Sequence, residues 1–300
     1  MIITVLAGGS APCLRSLFFY RWFLAEEGVP LAMSYCAVSM KQAWKKQIRR
    51  LPVLPAVYRY WRLLRNIWRL RSEMARVNGA RTVPLPLGAV PGLAKYMRLS
   101  SQILGWSRGE EAVALALASY GLPEDAIIVE IGSFLGSSAV LLAGARKLRK
   151  SGVVHCVDPF DASGDAFSAP IYHQIEESVG GSLRREFDKN IRRAGLAECV
   201  VIHNGYDTTV VQGWKIPIDL LFLSGDQSYE AVQTTFRCWS PFLKIGGILA
   251  VQNSRQGTEY AESHDGSARL VSETIHPPQY QFIRCIGSTT FALKLGDHGV

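Results

Sequence analysis

Val129-Glu130-Ile131-Gly132-Ser133-Phe134-Leu135-Gly136-Ser137-Ser138 is the stretch whose reading decides the fold. The apolar run from Ala126 to Ile131 has the length and composition of a buried strand, and Ser137 to Lys150 carries a helical pattern, so both glycines stand in a strand-to-helix turn. Gly132 lets the backbone turn tightly and approach a ligand, whereas Gly136 opens the helix, whose free N–H groups favour an electron-rich partner. A dinucleotide loop keeps three glycines to admit a pyrophosphate. Here three residues separate the two glycines and an acid precedes them, so the loop departs from that pattern. A carboxylate at position 130 repels a pyrophosphate and attracts a cation.

Further along the chain the same rhythm repeats. Val153 to Asp158, Cys199 to His203, Ile218 to Leu223 and Ile248 to Gln252 are apolar strand candidates, and Leu183 to Ala194 and Tyr229 to Trp239 are helical. Short strands without polar alternation, separated by helices, predict a parallel sheet covered on both faces, an α/β fold. A polar segment from Tyr260 to Glu273 reads as helical. Tyr280 to Ile286 and Thr289 to Leu295 then follow as strands joined by only Gly287 and Ser288, a connection short enough to demand an antiparallel hairpin. Asp158 ends the second strand, where an acid accepts hydrogen bonds from ribose hydroxyls. Upstream, Ser107 and Glu110 have capping-box spacing before a helix from Ala112 to Tyr120.

The chain has 300 residues, 48% hydrophobic and 19% charged, enough for a sizeable core and against global disorder. No apolar run has the length of a bilayer span, and the start lacks a positively charged leader region. Six cysteines without CxxC spacing fit reduced thiols and a cytoplasmic location. The net charge of +8 is concentrated: residues 41–81 hold twelve Lys and Arg against the single acid Glu73, a net +11. Within that block, Val57, Tyr60, Trp61, Leu64, Ile67, Trp68 and Met74 form an apolar stripe among arginines, predicting a basic amphipathic helix over about 55–78. Such a helix packs on the main domain or a second subunit, or lies on an anionic membrane at the inner face; no nucleic-acid module accompanies the charge. The Pro- and Gly-rich stretch from Val83 to Gly92 marks a boundary, giving an N-terminal extension over 1–95 and a main domain over 96–300.

Residues 96–296 resemble a class I S-adenosylmethionine-dependent methyltransferase, in the branch with a VEIGSxxGxS loop, a D-P-F-D second strand and a later D-G-D-H-S-Y turn. The resemblance rests on Val129 to Ser138, on Asp158-Pro159-Phe160-Asp161, and on Asp219 to Glu230 followed by Trp239 to Leu249. It implies a Rossmann-like seven-stranded sheet of order 3-2-1-4-5-7-6 with the last strand antiparallel. It also implies that Glu130, Gly132, Ser133 and Gly136 lie along the methionine part of S-adenosylmethionine, Asp158 at its ribose and Asp207 near its adenine. The acceptor turn departs from the family: Ser224, Gln227 and Asn253 stand where acids and a histidine are usual. Neutral side chains cannot compensate a hard dication, so no tight metal is expected.

Asp226 is then the first candidate for the acceptor's base, with His173 and Asp207 behind it. Asp226 can equally cap the following helix, and Ser224 with Gln227 also has capping-box spacing. Two functions remain open. One is O-methylation of a small-molecule or glycan-like acceptor. The other is a methyltransferase-like binding module acting through residues 41–81.

Overall fold

The computed structural model describes residues 90–296 apart from 91 and 261. The N-terminal extension up to residue 89, including the basic helix expected at 55–78, lies outside the described residues.

Seven strands form one sheet in the order β3-β2-β1-β4-β5-β7-β6. They are β1 Ile127–Ile131, β2 Val153–Asp158, β3 Val200–Asn204, β4 Ile218–Leu223, β5 Leu243–Val251, β6 Tyr280–Ile286 and β7 Thr289–Lys294. Strands 1 to 5 pair in parallel, and β7 runs antiparallel to both β5 and β6, as the two-residue connection requires. The eight helices described are α1 Leu93–Ser101, α2 Gly109–Gly121, α3 Ser137–Arg149, α4 Ala169–Ser178, α5 Leu183–Ala194, α6 Asp207–Val210, α7 Tyr229–Trp239 and α8 Gly266–Thr274. None of them is long and apolar enough to cross a membrane.

Side-chain parity divides the core. Ile128, Cys156, Leu220 and Phe222 pack under α2, α3 and α5, whereas Val129, Ile131, Val157 and Leu221 pack against Val232, Phe236 and Trp239 of α7. Both faces of the sheet are therefore apolar, which is why the strands read without alternation. One buried cation crosses this packing. Arg146 of α3 is fully buried and donates to the backbone carbonyls of Ser119, Leu122, Pro123 and Ser151, tying α3 to the end of α2. Burial lowers its pKa to about 10.

Several local expectations change. Helix α2 starts at Gly109, and Glu111, rather than Glu110, reaches back to the Arg108 N–H. The same Glu111 carboxylate accepts from the Ser288 N–H and from the hydroxyls of Ser288 and Thr289, so it also anchors the hairpin turn. Ser224 and Gln227 do not cap α7, which begins after Ser228. The segment from Tyr260 to Glu273 is not one helix: a short 3-10 turn at Glu262–His264 precedes α8. Pro170 to Gln174, which carries the base candidate His173, lies within α4.

Candidate active site

The site is built where β1, β2 and β4 end side by side. Strand β1 places Glu130 on the α3 face, in register with Cys156 and Phe222, and the side chain is fully buried. Its Oε2 accepts from the Ser133 hydroxyl at 2.7 Å and from the Cys156 thiol at 3.4 Å, while Oε1 has no hydrogen-bond partner. Burial raises its pKa, and the hydroxyls of Ser138 and Ser133 offset part of that rise. The acid expected to face a ligand thus lies beneath the loop. Its parity on the strand dictates this.

Gly132 has φ +86°, and a Cβ there would lie 2.5 Å from the Gly225 backbone. The close approach it permits is to the end of β4, where the Ser224 N–H donates to the Ile131 carbonyl at 2.9 Å. Gly136, φ +89°, is the residue before the first turn of α3, as expected for a helix-opening glycine. Asp158 sits at the tip of β2 and accepts the Phe134 N–H at 2.8 Å and the Phe160 N–H at 2.7 Å. Burial raises its pKa despite those two bonds. Each carboxylate oxygen can accept two donors, and one of these two bonds falls on each, so acceptor capacity remains.

Over the loop stands an aromatic trio. Trp106 lies 5.4 Å from both Phe134 and Tyr172, and Phe134 lies 5.1 Å from Tyr172, between ring centroids. Tyr172 belongs to α4, and burial pushes its pKa up to about 12. Between these rings and the ends of β4 and β5 opens a cleft lined by Ser224, Gly225, Gln227, Gln252, Asn253 and His264 and, on the outer side, by Trp106, Phe167, Ile171 and Tyr172.

The remaining expected residues are scattered. Asp207 opens α6 and accepts the Thr235 hydroxyl of α7 at 2.7 Å. Asp226 is exposed and accepts the Ser228 N–H at 2.7 Å, holding the turn into α7. His173 stands on α4 with a side chain 61% exposed, 3.9 Å from Glu176, and does not line the cleft. Glu130, Gly132, Ser133, Gly136 and Asp158 are brought together; His173 and Asp207 are not.

The sequence reading missed His264. Its Nδ1 lies 3.2 Å from the Asp165 carboxylate and 3.3 Å from the Ser168 hydroxyl, and its Nε2 lies 3.3 Å from the Asn253 amide. Asp165 is almost wholly buried; burial opposes its ionisation, yet hydrogen bonds from Ser168 and His264 and the nearby imidazole hold its pKa below the usual carboxylate value.

The sheet order, with a reversed seventh strand between β5 and β6, is the one that the resemblance to class I S-adenosylmethionine-dependent methyltransferases implies, and the glycine loop after β1 and the acid at the tip of β2 lie together at its open end. Residues 129–254 match the family model described as a methyltransferase domain. Among solved structures, SAH-bound methyltransferase PaMTH1 of Podospora anserina matches at 10% identity and TM-score 0.49, covering 76% of this chain and 94% of its own. Cofactor-bound Rv0187 from MTB matches at 18% and 0.47, covering 70% and 93%. The O-methyltransferase TomG of Streptomyces achromogenes, in complex with SAM, matches at 17% and 0.46, covering 71% and 93%.

Proposed function

We propose that this chain transfers a methyl group from S-adenosylmethionine to a hydroxyl of a small-molecule acceptor without a tightly held metal. The observation that carries this reading is the junction of a cofactor cradle with a cleft in which the acceptor positions 224, 227 and 253 are neutral. Ser224, Gln227 and Asn253 bring no negative charge to it. Gln227 is also internally satisfied, its Nε2 donating to the Gly225 carbonyl and its Oε1 accepting from Ser267. Nothing in that set compensates a dication.

The residues fit the cofactor. Asp158 has lone pairs left for ribose hydroxyls, and the buried Glu130 carboxyl lies directly under the loop with one oxygen unpartnered. Bound S-adenosylmethionine supplies a methyl carbon on a positively charged sulfur that keeps the bond's electron pair when the methyl passes to the acceptor oxygen. Glu130 fixes the loop by holding Ser133, and Asp158 fixes it by holding the Phe134 N–H. The rings of Trp106, Phe134 and Tyr172 exclude water beside the loop. Positioning and desolvation of this kind supply most of what an in-line methyl transfer needs.

The test is calorimetric. S-adenosylhomocysteine should bind the purified chain, and Asp158→Ala should weaken it by about tenfold or more through loss of two ligand hydrogen bonds and a looser loop. A chain that gives no heat with S-adenosylmethionine or S-adenosylhomocysteine is not this enzyme.

A further inference from the structure

We propose that the cleft beside the cofactor loop takes an uncharged, flat apolar acceptor of the phenol class, and that His264, positioned by Asp165, accepts the proton of its hydroxyl. The inference rests on the methyltransferase reading above and deepens it.

Two observations define the acceptor. The outer wall of the cleft exposes three large apolar side chains side by side: Trp106 is 44% exposed, Phe167 53% and Ile171 40%. Apolar surface left open around a polar floor is the ordinary signature of a ligand site. The second observation is charge. No Lys or Arg lines the cleft among the described residues, whereas Asp165 lies just behind His264. A phosphate-bearing or carboxylate-bearing acceptor would find no counter-ion there and would meet a carboxylate. An uncharged ring bearing a hydroxyl meets neither problem.

The floor supplies the base. Asp165 is 1% exposed and His264 13% exposed in their side chains, and Phe167 stacks beside the imidazole at 5.0 Å. With Nδ1–H donated to Asp165, the lone pair of His264 sits on Nε2, where it accepts from the Asn253 amide at 3.3 Å until an acceptor hydroxyl takes that place. When an acceptor hydroxyl approaches Nε2, its O–H bond breaks, the electron pair stays on oxygen and the proton forms an N–H bond on the imidazole. Asp165 then faces the resulting imidazolium, and the Asn253 amide is placed to donate to the phenolate oxygen. The proton leaves to solvent through the open mouth after methyl transfer. Asp226, already engaged by the Ser228 N–H, is not needed for this step.

The probe is 4-nitrophenol, whose phenolate absorbs in the visible, titrated into the S-adenosylhomocysteine-loaded chain at a pH where the free phenol is protonated. Saturable binding should raise the phenolate fraction by about tenfold or more over the free compound. His264→Gln should abolish that rise while leaving the S-adenosylhomocysteine affinity unchanged, and Asp165→Asn should reduce it. Phe167→Ala should weaken binding, and 4-nitrophenyl phosphate should compete at least about tenfold more weakly.

The proposal fails if 4-nitrophenol does not bind, if bound phenol stays protonated, if the rise survives His264→Gln or disappears instead in His173→Gln, or if the phosphate ester competes equally. Loss of S-adenosylhomocysteine binding in the native chain would refute the methyltransferase reading instead, and the phenolate measurement made without it would still be readable.

Discussion

Folding stability should fall sharply between pH 6.5 and about 4, and His155 should account for much of the fall. On the face of β2 toward α7, His155 Nδ1 meets His203 Nε2 of β3 at 2.9 Å, and Trp214 packs edge-on against both rings. A hydrogen bond between two imidazole nitrogens needs one donor and one acceptor, so the pair is stable when both rings are neutral. Burial, and next the neighbouring His203, lowers the His155 pKa from 6.5 to about 4, and burial lowers that of His203 as well. The folded state therefore binds fewer protons than the unfolded chain, so stability is full above pH 6.5 and is lost as pH falls toward the folded value.

For His155 the complete loss is about 3 kcal/mol, of which about 2.5 kcal/mol has gone by pH 4.5. Urea denaturation followed by circular dichroism at pH 7.5 and 4.5 measures it. Asn carries a hydrogen-bonding atom near the Nδ1 position and does not titrate, so His155→Asn should lose about 2.5 kcal/mol less than the native chain over that interval. Glu130, whose raised pKa acts in the opposite sense, is common to both proteins and cancels in the difference. If both proteins lose the same free energy, the burial argument for this pair is wrong.

Gly132→Ala should destabilise by more than about 3 kcal/mol, since φ is +86° and the new Cβ would press against Gly225 backbone rather than a movable side chain; thermal melting checks it. Arg146→Met keeps the aliphatic stem but strands four carbonyls, those of Ser119 and Leu122 in the core, and should cost about 2–4 kcal/mol by urea titration. Methyl transfer should change by less than about twofold between EDTA and added Mg²⁺, because Ser224, Gln227 and Asn253 bring no charge for the ion; strict Mg²⁺ dependence would refute that reading.

The layered sheet was legible because its strands are apolar on both faces and its terminal hairpin has room for only two residues. The strand order itself came from family resemblance, since no periodicity dictates which parallel strands are neighbours. Local caps were misread where a side chain is recruited from a distance. Glu111 serves both the Arg108 N–H and the turn at Ser288, 177 residues away. Ser224 turns its hydroxyl back to the Ile131 and Gly132 carbonyls. His264 was missed for the same reason: its partner Asp165 lies 99 residues earlier, and no spacing rule joins a post-strand loop to a 3-10 turn. The usable signal was chemical. The turn's one remaining acid, Asp226, holds the Ser228 N–H, so a base has to come from elsewhere, and Tyr260 to Asp265 holds a histidine in a polar segment.

Glu130 shows how strand parity limits what a motif residue can do. Alternation along β1 sends residues 128 and 130 under α3 and residues 129 and 131 toward α7, so only Gly132 and those after it can face the open end. An acid at 130 therefore meets the loop from beneath rather than from the open surface. Its influence passes through Ser133, whose hydroxyl it accepts, and through a field weakly screened by the surrounding apolar layer. A nearby cationic sulfur favours the ionised carboxylate over the protonated one that burial favours. Removal of the motif's acid should therefore perturb loop geometry and cofactor charge preference together.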